Sequence, residues 1–217
     1  DQNAHPHQNV DNKFALVHNG IIENYVQIKE SLVSEGIEFT SDTDTEVVVQ
    51  QLAKDWDGDL LSTTLGVAKN LKGTYALVIV SEYEPDTIVA GRMMSPLVMG
   101  IGDGEMLLAS DAAAIIEHTN KMVFLENGDF VKIQGGNYEI FNIDGEKIER
   151  EIEVVDWKID EAEKGGHEHY MYKEIIEQPE AIRNTLFERI DGDFFTSEFK
   201  IDREKALKYK KIWIVAC

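Results

Sequence analysis

Phe14–Asn24, FALVHNGIIEN, is the stretch on which the reading of this chain turns. Phe14, Ala15, Leu16 and Val17 form a short apolar run between Asp11-Asn12-Lys13 and Asn19-Gly20, the pattern of a buried strand ending in a sharp turn. Asn-Gly is a strong two-residue hairpin signal because both residues tolerate positive φ, and a hairpin would put a second strand directly after it. The sequence runs instead through Ile21-Ile22-Glu23 to Asn24, and Gln27 three residues later gives Asn24 the capping-box spacing that opens a helix. The expected local structure is strand, Asn-Gly corner, helix. At such a corner a side-chain amide and a glycine N–H can both point at a ligand, and a pair of donors is what a developing oxyanion needs. Asn19 and Gly20 are therefore candidate catalytic residues, the alternative being a plain turn.

Downstream, Tyr25, Ile28 and Leu32 share one helical face, Gly36 sits where a glycine would end that helix, and Ile37 and Phe39 alternate as a short strand would. Ser41–Glu46, SDTDTE, has the alternating acids of a calcium loop but lacks the glycine that loop needs at its sixth position, where Val47 stands. It reads better as a helix start capped by Thr43 or Asp44, with Val47, Val48, Leu52 and Trp56 as the apolar face. Capping leaves one aspartate over, a carboxylate suited to an ammonium group. A further helix is expected over Leu60–Leu71, then a strand over Tyr75–Val80 and a turn at Pro85-Asp86. Short strands follow at Thr87–Ala90, Leu97–Ile101, Met106–Ala109, Met122–Leu125, Phe130–Ile133 and Tyr138–Phe141, with Asp111 capping a helix over Ala112–His118. Helices followed by many hairpin-linked strands predict an α+β fold with antiparallel sheets. No G-x-G-x-x-G follows a strand and no Walker A is present, which disfavours dinucleotide and nucleotide-triphosphate folds.

Composition narrows the function classes. The 217 residues carry a formal charge of −20, which argues against binding nucleic acid or an anionic membrane. No apolar run approaches the roughly 20 residues of a membrane span. No charged segment followed by an apolar one opens the chain as a secretory signal would. The single cysteine, Cys217, excludes an internal disulfide and fits a reducing, cytoplasmic compartment. His5 and His7 are spaced for a metal, but nothing with ligand spacing accompanies them, so a loop at the edge of a site is the better account. The register changes near Glu149, where an acidic stretch leads to Lys164-Gly165-Gly166-His167, of linker composition. His169–Phe187 reads as a helix interrupted by Pro179, and Tyr209–Cys217 ends in a buried parallel-type strand.

Taken together, NAHPH (Asn3–His7), VHNGIIEN (Val17–Asn24), SDTDTE, SPLVMGIG (Ser95–Gly102), ASD (Ala109–Asp111), HYMYKEIIEQPEAI (His169–Ile182) and the terminal IVAC resemble the glucosamine-6-phosphate synthase family, glutamine:fructose-6-phosphate aminotransferases (isomerizing). The motifs run in the family's order over essentially the whole chain. HNGIIEN and SDTDTE are shared by N-terminal-nucleophile glutamine amidotransferases broadly, whereas HYMYKEIIEQP resembles the passage from glutaminase to isomerase domain in this one family. The resemblance implies a four-layer αββα sandwich over residues 1–159, a linker over 160–168, and the beginning of an α/β sugar isomerase domain over 169–217. It implies hydrolysis of L-glutamine and transfer of the ammonia to fructose 6-phosphate, giving glucosamine 6-phosphate and glutamate on the way to UDP-N-acetylglucosamine. No cofactor is implied, and the full-length protein is expected to be a homo-oligomer. Asn19 and Gly20 match the oxyanion-hole pair, Asp44 the aspartate that holds the substrate's α-ammonium, and His5 a histidine lining the glutamine site.

The departures are as informative. The family's nucleophile is an N-terminal cysteine whose α-amine is the base, whereas residue 1 here is Asp1, and the family's opening strands and arginine-containing glutamine loop are not in the sequence. Cys217 matches the end of the first isomerase strand and cannot substitute. A protein of these residues alone is expected to lack glutaminase activity and to carry unpaired sheet edges. Two other functions compete: the glutaminase domain of another class II amidotransferase, such as the phosphoribosyl type, and a non-catalytic amino-acid-binding module.

Overall fold

A computed structural model describes residues 2–155, 167, 169–186, 190–191, 194–195 and 208–211. The chain divides into two units, Asp1–Ile159 and Asp160–Cys217. The first unit holds two antiparallel sheets. Seven strands form one in the order β1 (His7–Gln8), β2 (Phe14–Ile22), β3 (Gly73–Ser81), β4 (Glu84–Met93), β8 (Asp129–Gln134), β9 (Asn137–Asn142), β10 (Lys147–Ile148). Four form the other in the order β11 (Glu153–Val154), β7 (Lys121–Phe124), β5 (Val98–Ile101), β6 (Met106–Ala109).

Strand alternation sorts the core into layers, because successive side chains point to opposite faces. Phe14, Leu16, Ile22, Tyr75, Leu77, Ile79, Val89 and Phe130 pack against helices α1 (Tyr25–Ser34), α2 (Thr45–Lys54) and α3 (Leu60–Ala68), through Ile28, Val48, Leu52, Leu60 and Leu65 among others. The opposite face of the same strands, with Ala76, Ala90, Val131 and Ile133, meets Leu97, Met99 and Val123 of the second sheet. Val98 and Met122 then point outward onto Ala112 and Ile115 of a 3-10 turn at Ala112–Ala114. The order helix, sheet, sheet, helical turn is the expected αββα arrangement. Gly91 is required by this packing: a Cβ there would lie 2.1 Å from the Phe130 ring.

Several local expectations are corrected. β2 does not end at Asn19-Gly20. It stays paired with β3 through Ile22↔Gly73, and the chain turns only at Glu23-Asn24. Asn24 makes no cap bond. Its side chain instead accepts from Lys72 N at 2.9 Å and donates to the Asn70 carbonyl at 2.9 Å, tying the α3–β3 loop to the end of β2. Ile37–Phe39 is not a strand, although Gly36 does end α1, with φ 90 and a bond from Ile37 N to the Leu32 carbonyl. The β3–β4 turn falls at Glu82-Tyr83, and Pro85 lies inside β4, near its start, where the register with β3 is shifted. The expected helix at Ala112–His118 is the single 3-10 turn, with Asp111 capping it through Ala113 N as expected.

β2 has no partner strand on its outer side beyond Leu16 among the described residues, and β6 is an edge strand. Asp129, 2% exposed, accepts a two-point ion pair from Arg150 at 2.7 and 2.9 Å and the Glu126 N–H at 2.7 Å, so a buried charge is fully met. Asp59 caps α3 by accepting from Ser62 N at 2.7 Å. Asp59→Ala should lower unfolding free energy by about 1 kcal/mol in urea titration.

In the second unit, α4 (Tyr170–Leu186) is one helix with Pro179 inside it, and β12 (Ile190–Asp191) pairs with β13 (Phe194–Phe195). The expected linker is described only at His167, and the expected terminal strand only as far as Lys211; the rest of both lies outside the described residues. Among the described residues no helix is long and apolar enough to cross a membrane.

Candidate active site

β2 presents consecutive residues to different layers. Asn19 is exposed and lines a cleft of about 240 Å³ with Val17, Ala76, Val78, Leu97 and Leu108 from both sheets. Gly20 follows, paired with Tyr75, at φ 139. A Cβ on Gly20 would stand 2.1 Å from the Thr74 carbonyl oxygen and 2.9 Å from Ser95 Oγ, so only glycine fits. The Asn-Gly pair is thus a paired strand segment, not a corner.

Asp44 directly precedes α2, but its side chain does not cap it. Oδ2 accepts instead from Ile22 N at 2.6 Å, which fixes the carboxylate at the end of β2, two residues from Gly20. Asn19, Gly20 and Asp44 are therefore assembled by one strand and one helix start. His5 is more loosely held: Nε2 lies 3.4 Å from Thr45 Oγ1, and its ring meets His7 edge-on at 5.2 Å.

Three participants were not singled out from the sequence. His18, 8% exposed, occupies the helix-facing parity of β2 set by Phe14, Leu16 and Ile22, and that polar residue at a core position was the available signal. Its Nδ1 and Thr45 Oγ1 are 2.9 Å apart, so Thr45 joins His18 and His5 one residue from Asp44. His18 Nε2 is enclosed without a hydrogen bond of normal geometry. Glu46, 1% exposed, lies in the first turn of α2, where the helix dipole favours an acid whether or not it is buried. It accepts from Thr40 N at 2.9 Å, Ser41 N at 2.6 Å and the Ser41 hydroxyl, holding the loop that carries Asp42–Asp44.

These environments set the charges. Burial is the main cause lowering the pKa of His18, outweighing Asp44 and the Thr74 carbonyl, which act upward. His7, whose Nε2 is 3.1 Å from Thr43 Oγ1, is lowered by burial and by His5, against Glu46 and Asp44. Burial raises Glu46, but hydrogen bonds from Ser41, Thr40 and Gln50 overcome it, and the net shift is down. Both histidines therefore bind protons less readily folded than unfolded. Stability is full above their ordinary value of 6.5 and is lost as pH falls below it. Glu46 adds a second loss below its ordinary value of 4.5. Urea unfolding should give a lower free energy at pH 5.5 than at pH 7.5, and a smaller difference in His18→Gln.

The fold is that of glutamine amidotransferases. The glutamine phosphoribosylpyrophosphate (PRPP) amidotransferase from B. subtilis superposes with a TM-score of 0.56 at 23% identity, covering 63% of this chain and 30% of that one. The allosteric regulatory enzyme of purine biosynthesis superposes at 0.56 and 24%, covering 65% and 31%. The glutamine amidotransferase domain family matches residues 1–117, and the chain belongs to that family. It is also similar, along its whole length, to proteins named glutamine--fructose-6-phosphate aminotransferase [isomerizing]. Identity is 42% to that of Aquifex aeolicus, 45% to that of Thermotoga maritima and 44% to that of Clostridium acetobutylicum. The chain spans 36% of the length of each of these relatives.

Proposed function

We propose that this chain is the glutamine-hydrolysing part of a glutamine:fructose-6-phosphate aminotransferase, continuing into the start of its isomerase part. The observation that carries this is identity of 42–45% over the entire chain to proteins of that name. The division at Ile159/Asp160 is consistent with a glutaminase domain over 1–159, a linker over 160–168 and an isomerase start over 169–217. A phosphoribosyl-type partner domain has only fold likeness in its favour.

In this proposal Asp44 receives the α-ammonium of glutamine, and His5 borders the same site. The side-chain amide then lies along β2 at Asn19 and Gly20. A cysteine thiolate, supplied from outside these residues, adds to the amide carbon, and the carbonyl oxygen becomes an oxyanion. Asn19 Nδ2 and Gly20 N–H donate to it. Collapse expels the protonated amide nitrogen as ammonia and leaves a thioester, which water converts to glutamate and free thiol. The ammonia passes to fructose 6-phosphate in the isomerase part. The test is glucosamine 6-phosphate formation by the full-length enzyme with glutamine and fructose 6-phosphate. Turnover with phosphoribosyl pyrophosphate in place of the sugar phosphate would reject the proposal. The intact mass and first residue of the native protein check where the nucleophile comes from.

A further inference from the structure

Ser95 lies between β4 and β5, and the turn that delivers it is strained. Met94 has φ 66, a region that L side chains disfavour; among the described residues only Asn12, of a type that tolerates it, is another such non-glycine. Interlocking bonds hold the turn. Ser95 N donates to the Met93 carbonyl at 2.7 Å, and Met94 N donates to Asn127 Oδ1 at 2.8 Å. Arg92 donates to the carbonyls of Leu125 at 2.6 Å and Met94 at 3.2 Å, and Gly128 N donates back to the Arg92 carbonyl at 2.9 Å. Pro96 biases Ser95 towards extended backbone.

The outcome is a hydroxyl seated against Gly20. Ser95 Oγ is 2.9 Å from where a Cβ of Gly20 would be, and it hydrogen-bonds no described residue. Strained backbone persists where the surroundings over-determine it, and it clusters at sites where position matters. The chemistry of a carboxamide says what the hydroxyl is for. Asn19 Nδ2 and Gly20 N–H are both donors and recognise the carbonyl oxygen. They leave the N–H groups of the amide nitrogen without a partner, and those need an acceptor.

We infer that Ser95 is a further substrate-contacting residue, its Oγ accepting a hydrogen bond from the amide N–H of bound glutamine. It thereby selects the orientation in which the carbonyl oxygen faces Asn19 and Gly20. This rests on the glutaminase function proposed above.

The test is kcat/KM of the full-length enzyme, wild type, Ser95→Ala and Ser95→Thr, on glutamine and on glutamate γ-methyl ester, which has no amide N–H. Ser95→Ala should lose about five- to tenfold on glutamine and stay within about twofold on the ester, and Ser95→Thr should recover most of the loss. Equal loss on both substrates would assign Ser95 a structural role and overturn the inference, as would no loss on either. A wild-type enzyme inactive on both would instead remove the glutaminase function itself, and the role of Ser95 with it.

Discussion

Asp44→Asn in the full-length enzyme should lower kcat/KM for glutamine by about a hundredfold or more, with ammonia-dependent formation of glucosamine 6-phosphate unchanged. The size follows from removing one charge of a desolvated, hydrogen-bonded ion pair, which costs about 2–5 kcal/mol, much of it from leaving the other charge unpaired. Asparagine is the informative replacement because it keeps an oxygen for Ile22 N, 2.6 Å from the native carboxylate. The end of β2 then stays anchored, and only the charge is lost. Alanine would strip the Ile22 N–H of its partner as well and mix a local structural cost into the kinetics. The measurement is steady-state kinetics with glutamine against ammonium chloride as nitrogen donor. A loss of equal size with both donors would place Asp44 in the structure of the whole enzyme and not at the glutamine ammonium. A full glutamine rate in Asp44→Asn would end the assignment outright.

Asp44 also shows how far local pattern carries. The sequence left one carboxylate over after capping, and Asp44 proves to be free of the cap, yet the strand end it reaches is 22 residues away. Contacts of that range have no signature in local periodicity. The same limit explains Asn24, whose capping-box spacing was real but whose side chain found stronger partners 46 and 48 residues on. It also explains Gly20. An Asn-Gly pair reads locally as a turn, but β2 stays paired with β3 through it and for two more residues, so tertiary pairing overrode turn propensity. β3, β5 and β8 were legible because strands with burial on both faces read as short, nearly continuous apolar runs bounded by turn signals. Glu46 was not: a buried charge met by four donors from its own preceding loop looks, in sequence, like any exposed acid of a first helical turn.

Gly20→Ala and Asn19→Ala should both cost glutaminase activity, for different reasons that a melting curve separates. At Gly20 the added methyl would sit 2.1 Å from the Thr74 carbonyl oxygen, and a backbone atom in a paired strand cannot swing aside as a side chain can. The φ of 139 adds strain for any L side chain. Overpacking and strain together should cost about 3 kcal/mol, a drop of about 6–12 °C in Tm for a protein of this size. The β2–β3 pairing must shift to relieve the clash, which moves the Gly20 N–H off its line and lowers kcat by about a hundredfold or more. Asn19 is exposed beside the inter-sheet cleft and carries none of that packing. Asn19→Ala should leave Tm within about 1–2 °C, since a surface truncation costs about 0.5 kcal/mol or less. Its kcat should still fall by about a hundred- to a thousandfold, the range for removing one oxyanion donor. An Asn19→Ala enzyme within a few-fold of wild type would show that the developing charge is held elsewhere. Gly20 would then matter only as the residue that lets β2 lie against Thr74 and Ser95.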